Sequence, residues 1–178
     1  KAVEILVETD YDKAMLFADK IEKNNTTRKG LDKSITKEAL EMIDVKKKST
    51  VVHSENWHKG VVGIVASRLI ETHYKPTIVL AEKDGLLTGS ARSVHDFDLY
   101  SALAKCEHLC EKFGGHKYAA GLSIKKENLP QFIDAFEKVV SESIDEDQLT
   151  PKINIDMVID INDADDKLYR IIKQFAPF

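Results

Sequence analysis

The run Pro76-Thr77-Ile78-Val79-Leu80-Ala81-Glu82 constrains this chain more than any other stretch. It is apolar without alternation, the pattern of a strand buried on both faces. Ser49 to Ser54 (STVVHS) reads as a second strand. Between them, Gly60 to Tyr74 (GVVGIVASRLIETHY) reads as a helix. Its apolar positions Val61, Val62, Ile64, Val65, Leu69 and Ile70 give it a broad buried surface, and Gly63 and Ala66 permit close approach to a sheet. Arg68 and Glu71 read as a pair on adjacent turns. Strand, helix, strand in this order makes a βαβ unit with parallel strands and a right-handed crossover. The expected fold class is therefore α/β, a mixed sheet flanked by helices.

The rest of the chain extends that unit. Lys83-Asp84-Gly85 is a tight turn, from which Leu86 to Arg92 returns as an antiparallel strand. Asp96 or Asp98 caps a helix expected to reach about Phe113, where Gly114 and Gly115 end it. Tyr118 to Lys125 reads as another strand. Asn128 is the expected cap of a helix carrying Phe132, Ile133, Phe136, Val139 and Val140. Residues 141–151 read as an acidic loop, Ile153 to Ile161 (INIDMVIDI) as an alternating, half-exposed strand, and Leu168, Ile171, Ile172 and Phe175 as a final helix. Upstream, Val3 to Val7 is a short apolar run that closes a preceding element. Asp10 caps a helical pattern through Ala14, Phe17, Ala18 and Ile21; a second pattern runs through Leu31, Ile35, Ala39, Leu40 and Ile43. Asn24-Asn25-Thr26-Thr27 divides them, which leaves two helices or one long kinked one. The expected organisation is a helical connector over 1–48, an α/β domain over 49–145 and a strand-helix extension over 146–178.

Charge locates a site better than it identifies a partner. The net charge of −4 excludes a globally basic nucleic-acid binder. The negative excess sits at the end: residues 125–178 hold 7 basic and 12 acidic groups. All six histidines lie between His53 and His116, and seven of eight glycines between Gly60 and Gly121, so the chemistry is expected in that neutral middle. No apolar run approaches the ~20 residues of a membrane span. Lys46-Lys47-Lys48 is read as a solvated turn, with a phosphate-facing patch as the second reading. Cys106 and Cys110 continue an apolar stripe with Leu99, Leu103 and Leu109; they read as buried thiols of a reducing cytoplasm rather than a metal site. The chain begins at Lys1 and ends in Phe175-Ala176-Pro177-Phe178, and it is read as part of a longer one.

Three stretches carry candidate chemistry. Trp57-His58-Lys59-Gly60 precedes a helix N-terminus, where unpaired N–H groups favour an anion. Gly89-Ser90-Ala91-Arg92-Ser93 lies at a strand end; Ser90 and Arg92 alternate and so point to one side. A hydroxyl with a guanidinium fork suits a phosphate. Gly114-Gly115-His116 offers backbone N–H groups and a side-chain donor, a phosphate cradle. The competing reading of that stretch is a helix-ending glycine pair beside a buried histidine.

In this order and spacing, the motifs W-H-K-G-V-V-G-I-V-A-S-R-L, G-S-A-R-S and F-G-G-H-K-Y-A-A-G-L-S resemble the DHH-associated domain of RecJ-type single-strand-specific DNA exonucleases. The resemblance is close over residues 51–124. It extends more loosely to Asn25-Thr26-Thr27-Arg28, which resembles the family's interdomain helix, and to Ala176-Pro177-Phe178, which resembles the lead-in to an OB-type domain. It implies a 5′→3′ exonuclease whose DHH domain, absent from this segment, holds Mn²⁺ or Mg²⁺. This chain would be the wall that binds single-stranded DNA and its 5′ phosphate.

Carried over by motif, Ser90, Arg92 and Ser93 are implied substrate ligands. Gly114 and Gly115 are implied backbone donors, and His116 a positioning donor rather than a metal ligand. His58, Lys59 and Gly60 are secondary candidates. The segment carries no Asp-His-His motif, so it is expected to hold no metal and to bind without cleaving. Other implied associates are DNA repair and recombination proteins. The rival readings are a DHH-type phosphoesterase acting on oligoribonucleotides, cyclic dinucleotides or phosphoadenosine phosphate, and a non-catalytic nucleic-acid-binding module like the related domain of alanyl-tRNA synthetase.

Overall fold

The strand-helix-strand unit forms as expected in the computed structural model, which describes residues 2–153 and 155–177. Strands β1 (Thr50–Ser54) and β2 (Thr77–Lys83) pair in parallel, with Val52 opposite Val79, and are joined by α3 (Val62–Thr72). Asp84 (φ 52°) and Gly85 (φ 78°) then make a left-handed turn. Such a turn matches the twist of a hairpin. It leads into β3 (Leu86–Arg92), antiparallel to β2. Strands β4 (Lys112–His116) and β5 (Ala119–Lys125) complete a mixed sheet of order β1-β2-β3-β5-β4. The remaining helices are α1 (Ala2–Val7), α2 (Tyr11–Glu41), α4 (Leu99–Lys105), α5 (Leu129–Ser143) and α6 (Asp166–Lys173).

Alternation along the strands divides the core into two. Ile78, Leu80, Leu87, Ala91, Ala120, Leu122 and Ile124 cluster with Leu99 and Leu103 of α4 and with Phe132, Phe136 and Val140 of α5. On the opposite side Val52, Val79 and Ala81 cluster with Val62, Val65, Ala66 and Leu69 of α3, with Trp57, and with Ile35 and Ala39 of α2. Helix α3 lies over β2 and β3.

The upstream helix is one element of 31 residues, not two. Asp10 caps it through Lys13 N. Its polar middle does not break it, because those side chains bond along the helix surface: Thr27 Oγ1 donates to Lys23 O and Arg28 to Asn25 Oδ1. Its buried residues, Asp32, Ile35 and Ala39, all lie in the last third. That third is fixed by two polar contacts, Arg68 to Asp32 Oδ2 at 2.9 Å and Trp57 Nε1 to Glu38 at 2.9 Å. Arg68 thus pairs with Asp32, not with Glu71. A carboxylate that is 7% exposed requires a cation, whereas Glu71 is solvated.

Other expectations need correction. Helix α4, capped by Asp98 through Ser101 N, stops at Lys105 rather than Phe113, and a short 3-10 turn follows at Glu107–Leu109. The glycines therefore do not end a helix. Gly114 and Gly115 lie inside β4, where Gly114 pairs with Gly121 and Gly115 with Ala120. A strand ladder with β5 outcompetes a loop here. Asn128 occupies the N-cap position of α5 as expected, but its side chain makes no capping hydrogen bond and its amide donates instead to Leu109 O. Pro130 opens that helix, where its missing N–H costs nothing. The described residues of 153–161 form no strand, and Ile153 and Val158 are both 90% exposed. An alternating run needs a partner edge to become a strand. Asn154 of that run and Phe178 of the terminal motif lie outside the described residues.

Candidate functional site

Register sets the geometry of the sheet face that carries α3. Directly paired residues share a face. Ser90, Gly121 and Gly114 therefore form one row across β3, β5 and β4. Arg92, Ala119 and His116 form the next row, and Thr88, Ser123 and Lys112 the row on the other side. Gly114, Gly121, His116 and Lys112 are exposed, and Thr88, Ser90 and Arg92 are partly so. Helix α3 bounds this polar platform over β3. Its floor is small because two of its residues have no side chain.

Ser90 and Arg92 come together. The Arg92 guanidinium donates through Nη1 to Ser90 Oγ and to Ala91 O. Both groups face Gly63 in the first turn of α3: a Cβ there would lie 3.0 Å from Arg92 Nη2 and 3.3 Å from Ser90 Oγ. The start of α3 carries no side-chain cap. Hydroxyl, guanidinium and an uncapped helix start thus converge on one spot, an arrangement suited to an anion. Ser93 is used differently: its hydroxyl donates to Phe97 O and its N–H to Tyr118 O, which ties down the segment after β3.

His116 is in the same row as Arg92 but not in contact with it. One strand lies between them, which puts their backbones about 9.6 Å apart. The two side chains bracket the platform rather than forming one cluster. Gly115 is held by its own fold: its φ is +151°, and a Cβ would lie 2.4 Å from Ala119 O. Gly114 has no such need, with nothing within 4 Å of a built Cβ. His58 folds back on its loop, where Nδ1 accepts from Gly60 N at 3.0 Å. The proton then sits on Nε2, which is left as a donor. Gly60 leaves room for that ring, since a Cβ would lie 2.9 Å from it. Lys59 lines a neighbouring cavity with Trp57 and His58.

Sequence reasoning missed Thr88, Gly121, Ser123 and Lys112. The first two were within reach: Thr88 continues the alternation of Ser90 and Arg92, and Gly121 is the next small residue in the strand. Ser123 and Lys112 join the site only through the order of β3, β5 and β4. Among the described residues, no three His, Cys, Asp or Glu side chains converge to hold a metal. The donor set does not fit a divalent cation.

Residues 30–142 match the DHHA1 domain family. The chain is 32% identical over 182 residues to the single-stranded-DNA-specific exonuclease RecJ of Bacillus subtilis (strain 168), a match covering 99% of this chain and 23% of the relative. RecJ of Haemophilus influenzae is 31% identical over 186 residues, covering 96% of this chain and 32% of the relative. The chain thus spans about a quarter to a third of these relatives' length. Among solved structures, RecJ of Thermus thermophilus in complex with Mg²⁺ superposes with a TM-score of 0.74 at 29% identity, covering 81% of this chain and 23% of that one. An exonuclease RecJ bound to manganese gives 0.73 at 29% identity, covering 81% of this chain and 36% of that one.

Proposed function

The chain belongs to the DHHA1 domain family, and its relatives over nearly its whole length are RecJ-type; from this we propose that it is the substrate-binding wall of a 5′→3′ exonuclease specific for single-stranded DNA. Ser90 and Arg92 grip the 5′ phosphate against the first turn of α3. His116, one strand beyond, donates to a phosphate oxygen nearer the scissile bond, and Gly114 leaves the backbone open to the strand. Metal-dependent cleavage belongs to the rest of the parent protein, and this chain's part is to bind and orient. Under this reading residues 1–48 connect to that catalytic domain, 49–145 form the binding domain, and 146–178 lead into the next.

The carrying observation is the joint placement of Arg92, Ser90 and Gly63. Its chemistry fits a phosphate, and its position at one end of an open platform fits a strand entering end-on. Arg92 to Leu86 spans about 20 Å along β3, a length suited to a polymer more than to a dinucleotide. The test is Arg92→Ala in the full-length protein, assayed on 5′-phosphorylated and 5′-hydroxyl single-stranded DNA. The wild type is expected to prefer the phosphorylated end, and the variant to lose that preference. Equal slowing on both ends overturns the assignment of Arg92 and Ser90 to the 5′ phosphate.

A further inference from the structure

A cavity of about 670 Å³ lies off the carboxyl ends of β1 and β2, between the loop Glu55 to Lys59 and the β2-β3 hairpin. Its volume falls within the ~300–1,000 Å³ typical of small-ligand sites. None of the motif residues beyond Trp57, His58 and Lys59 touches it. Its apolar wall is Trp57, Ala81 and the 40%-exposed Leu86. Its charged groups are Lys59 and Lys83 against Glu55, Glu82 and Asp84. Lys126 reaches Glu82 at 2.7 Å and brings the two signs into balance.

That balance selects the ligand. A phosphate finds no cationic excess to hold it. A flat heterocycle with hydrogen-bond donors and acceptors meets carboxylates, ammonium groups and an apolar wall, each suited to part of it. The cavity is also continuous with the platform. It includes Thr88, which lies two residues from Ser90 on the same face of β3, about 7 Å along the strand. We propose that this cavity is a nucleobase subsite. It receives a base roughly two or three nucleotides inside the end whose phosphate rests on Arg92 and Ser90, while the sugar-phosphate backbone stays outside. This rests on the reading of that phosphate site given above.

The experiment walks a single abasic site through the first six positions of a 5′-phosphorylated single-stranded oligonucleotide. Binding to the full-length protein is measured by fluorescence anisotropy, with metal omitted to stop turnover. One position near the second or third nucleotide is expected to weaken binding about tenfold, and its neighbours less. Leu86→Ser, which removes the exposed part of the apolar wall, and Leu86→Trp, which intrudes on the cavity, should both flatten that profile. Both should keep the preference for a 5′ phosphate, since Leu86 lies six residues from Arg92. A flat profile in the wild type overturns the subsite, and so does an unchanged profile in folded Leu86 variants. Loss of the 5′-phosphate preference is read separately, with Arg92→Ala. If that preference is absent in the wild type, the phosphate assignment fails whatever the abasic profile shows.

Discussion

Arg92 binds Ser90 across one intervening residue of the same strand, and Gly63 of α3 lies over both. The contact pre-orients the guanidinium toward the helix start. Gly63 thus covers the proposed phosphate site. Gly63→Ala would push the guanidinium aside by a few tenths of an ångström. Thermal unfolding should show unchanged stability or a gain of up to about 1 kcal/mol, because alanine is the better helix former. Cleavage of 5′-phosphorylated DNA by the full-length protein should nevertheless slow. A loss of stability without loss of activity would show that Gly63 serves packing alone.

Arg92→Ala should cost about 10- to 100-fold in kcat/KM on 5′-phosphorylated substrate, the loss of one charge-assisted contact of roughly 1.5–3 kcal/mol. Arg92→Lys should recover only part of it, because an ammonium lacks the fork. Steady-state kinetics of the three proteins on one substrate measures this. Full recovery by lysine would mean that charge alone matters.

The adjacent glycines of β4 should respond differently to alanine. Gly115→Ala meets Ala119 O and an unfavourable φ, and should destabilise by about 1–3 kcal/mol or more. Gly114→Ala meets nothing within the chain and should stay within about 0.5 kcal/mol, while weakening DNA binding if the strand passes over it. Chemical denaturation of both variants separates the two glycines, whose identity in the sequence is the same.

Glu137 should make the domain acid-sensitive. Burial raises its pKa, but hydrogen bonds from Ser49 Oγ, Lys48 N, Ser141 Oγ and Ser49 N outweigh that and hold it below the ordinary value. Its contribution is therefore present above the unfolded pKa of about 4.3 and lost as pH falls through the folded pKa. Glu137→Gln should be less stable than wild type at pH 7 and show a shallower loss of stability below pH 5, followed by urea denaturation across pH 3–7. Parallel pH curves for the two proteins would place the acid sensitivity elsewhere.

How far the sequence reached depended on how local the cause was. PTIVLAE and the Asp84-Gly85 turn declared β2 and the hairpin because burial and φ are written in a few residues. Alternation put Ser90 and Arg92 on one side for the same reason. What failed depended on partners distant in sequence. Arg68 chose Asp32, 36 positions away, over Glu71 on the adjacent turn, because burial of Asp32 is a tertiary fact. The glycine pair looked like a helix end until β5 supplied an edge for it. INIDMVIDI alternates except at Val158, yet it forms no strand among the described residues. The sheet face shared by Arg92 and His116 follows from the order β3-β5-β4, which no local pattern encodes.

The anchoring of α2 by only its last third makes that helix a lever. From Tyr11 to Leu31 the rod projects about 30 Å at 1.5 Å per residue, with its fulcrum at the Arg68–Asp32 and Trp57–Glu38 contacts. A tilt of about 10° at the fulcrum sweeps the far end through about 5 Å, on the scale of one helical turn. Small errors at two polar contacts are thereby magnified at a distance. Whatever the far end of the rod carries is aimed from those contacts.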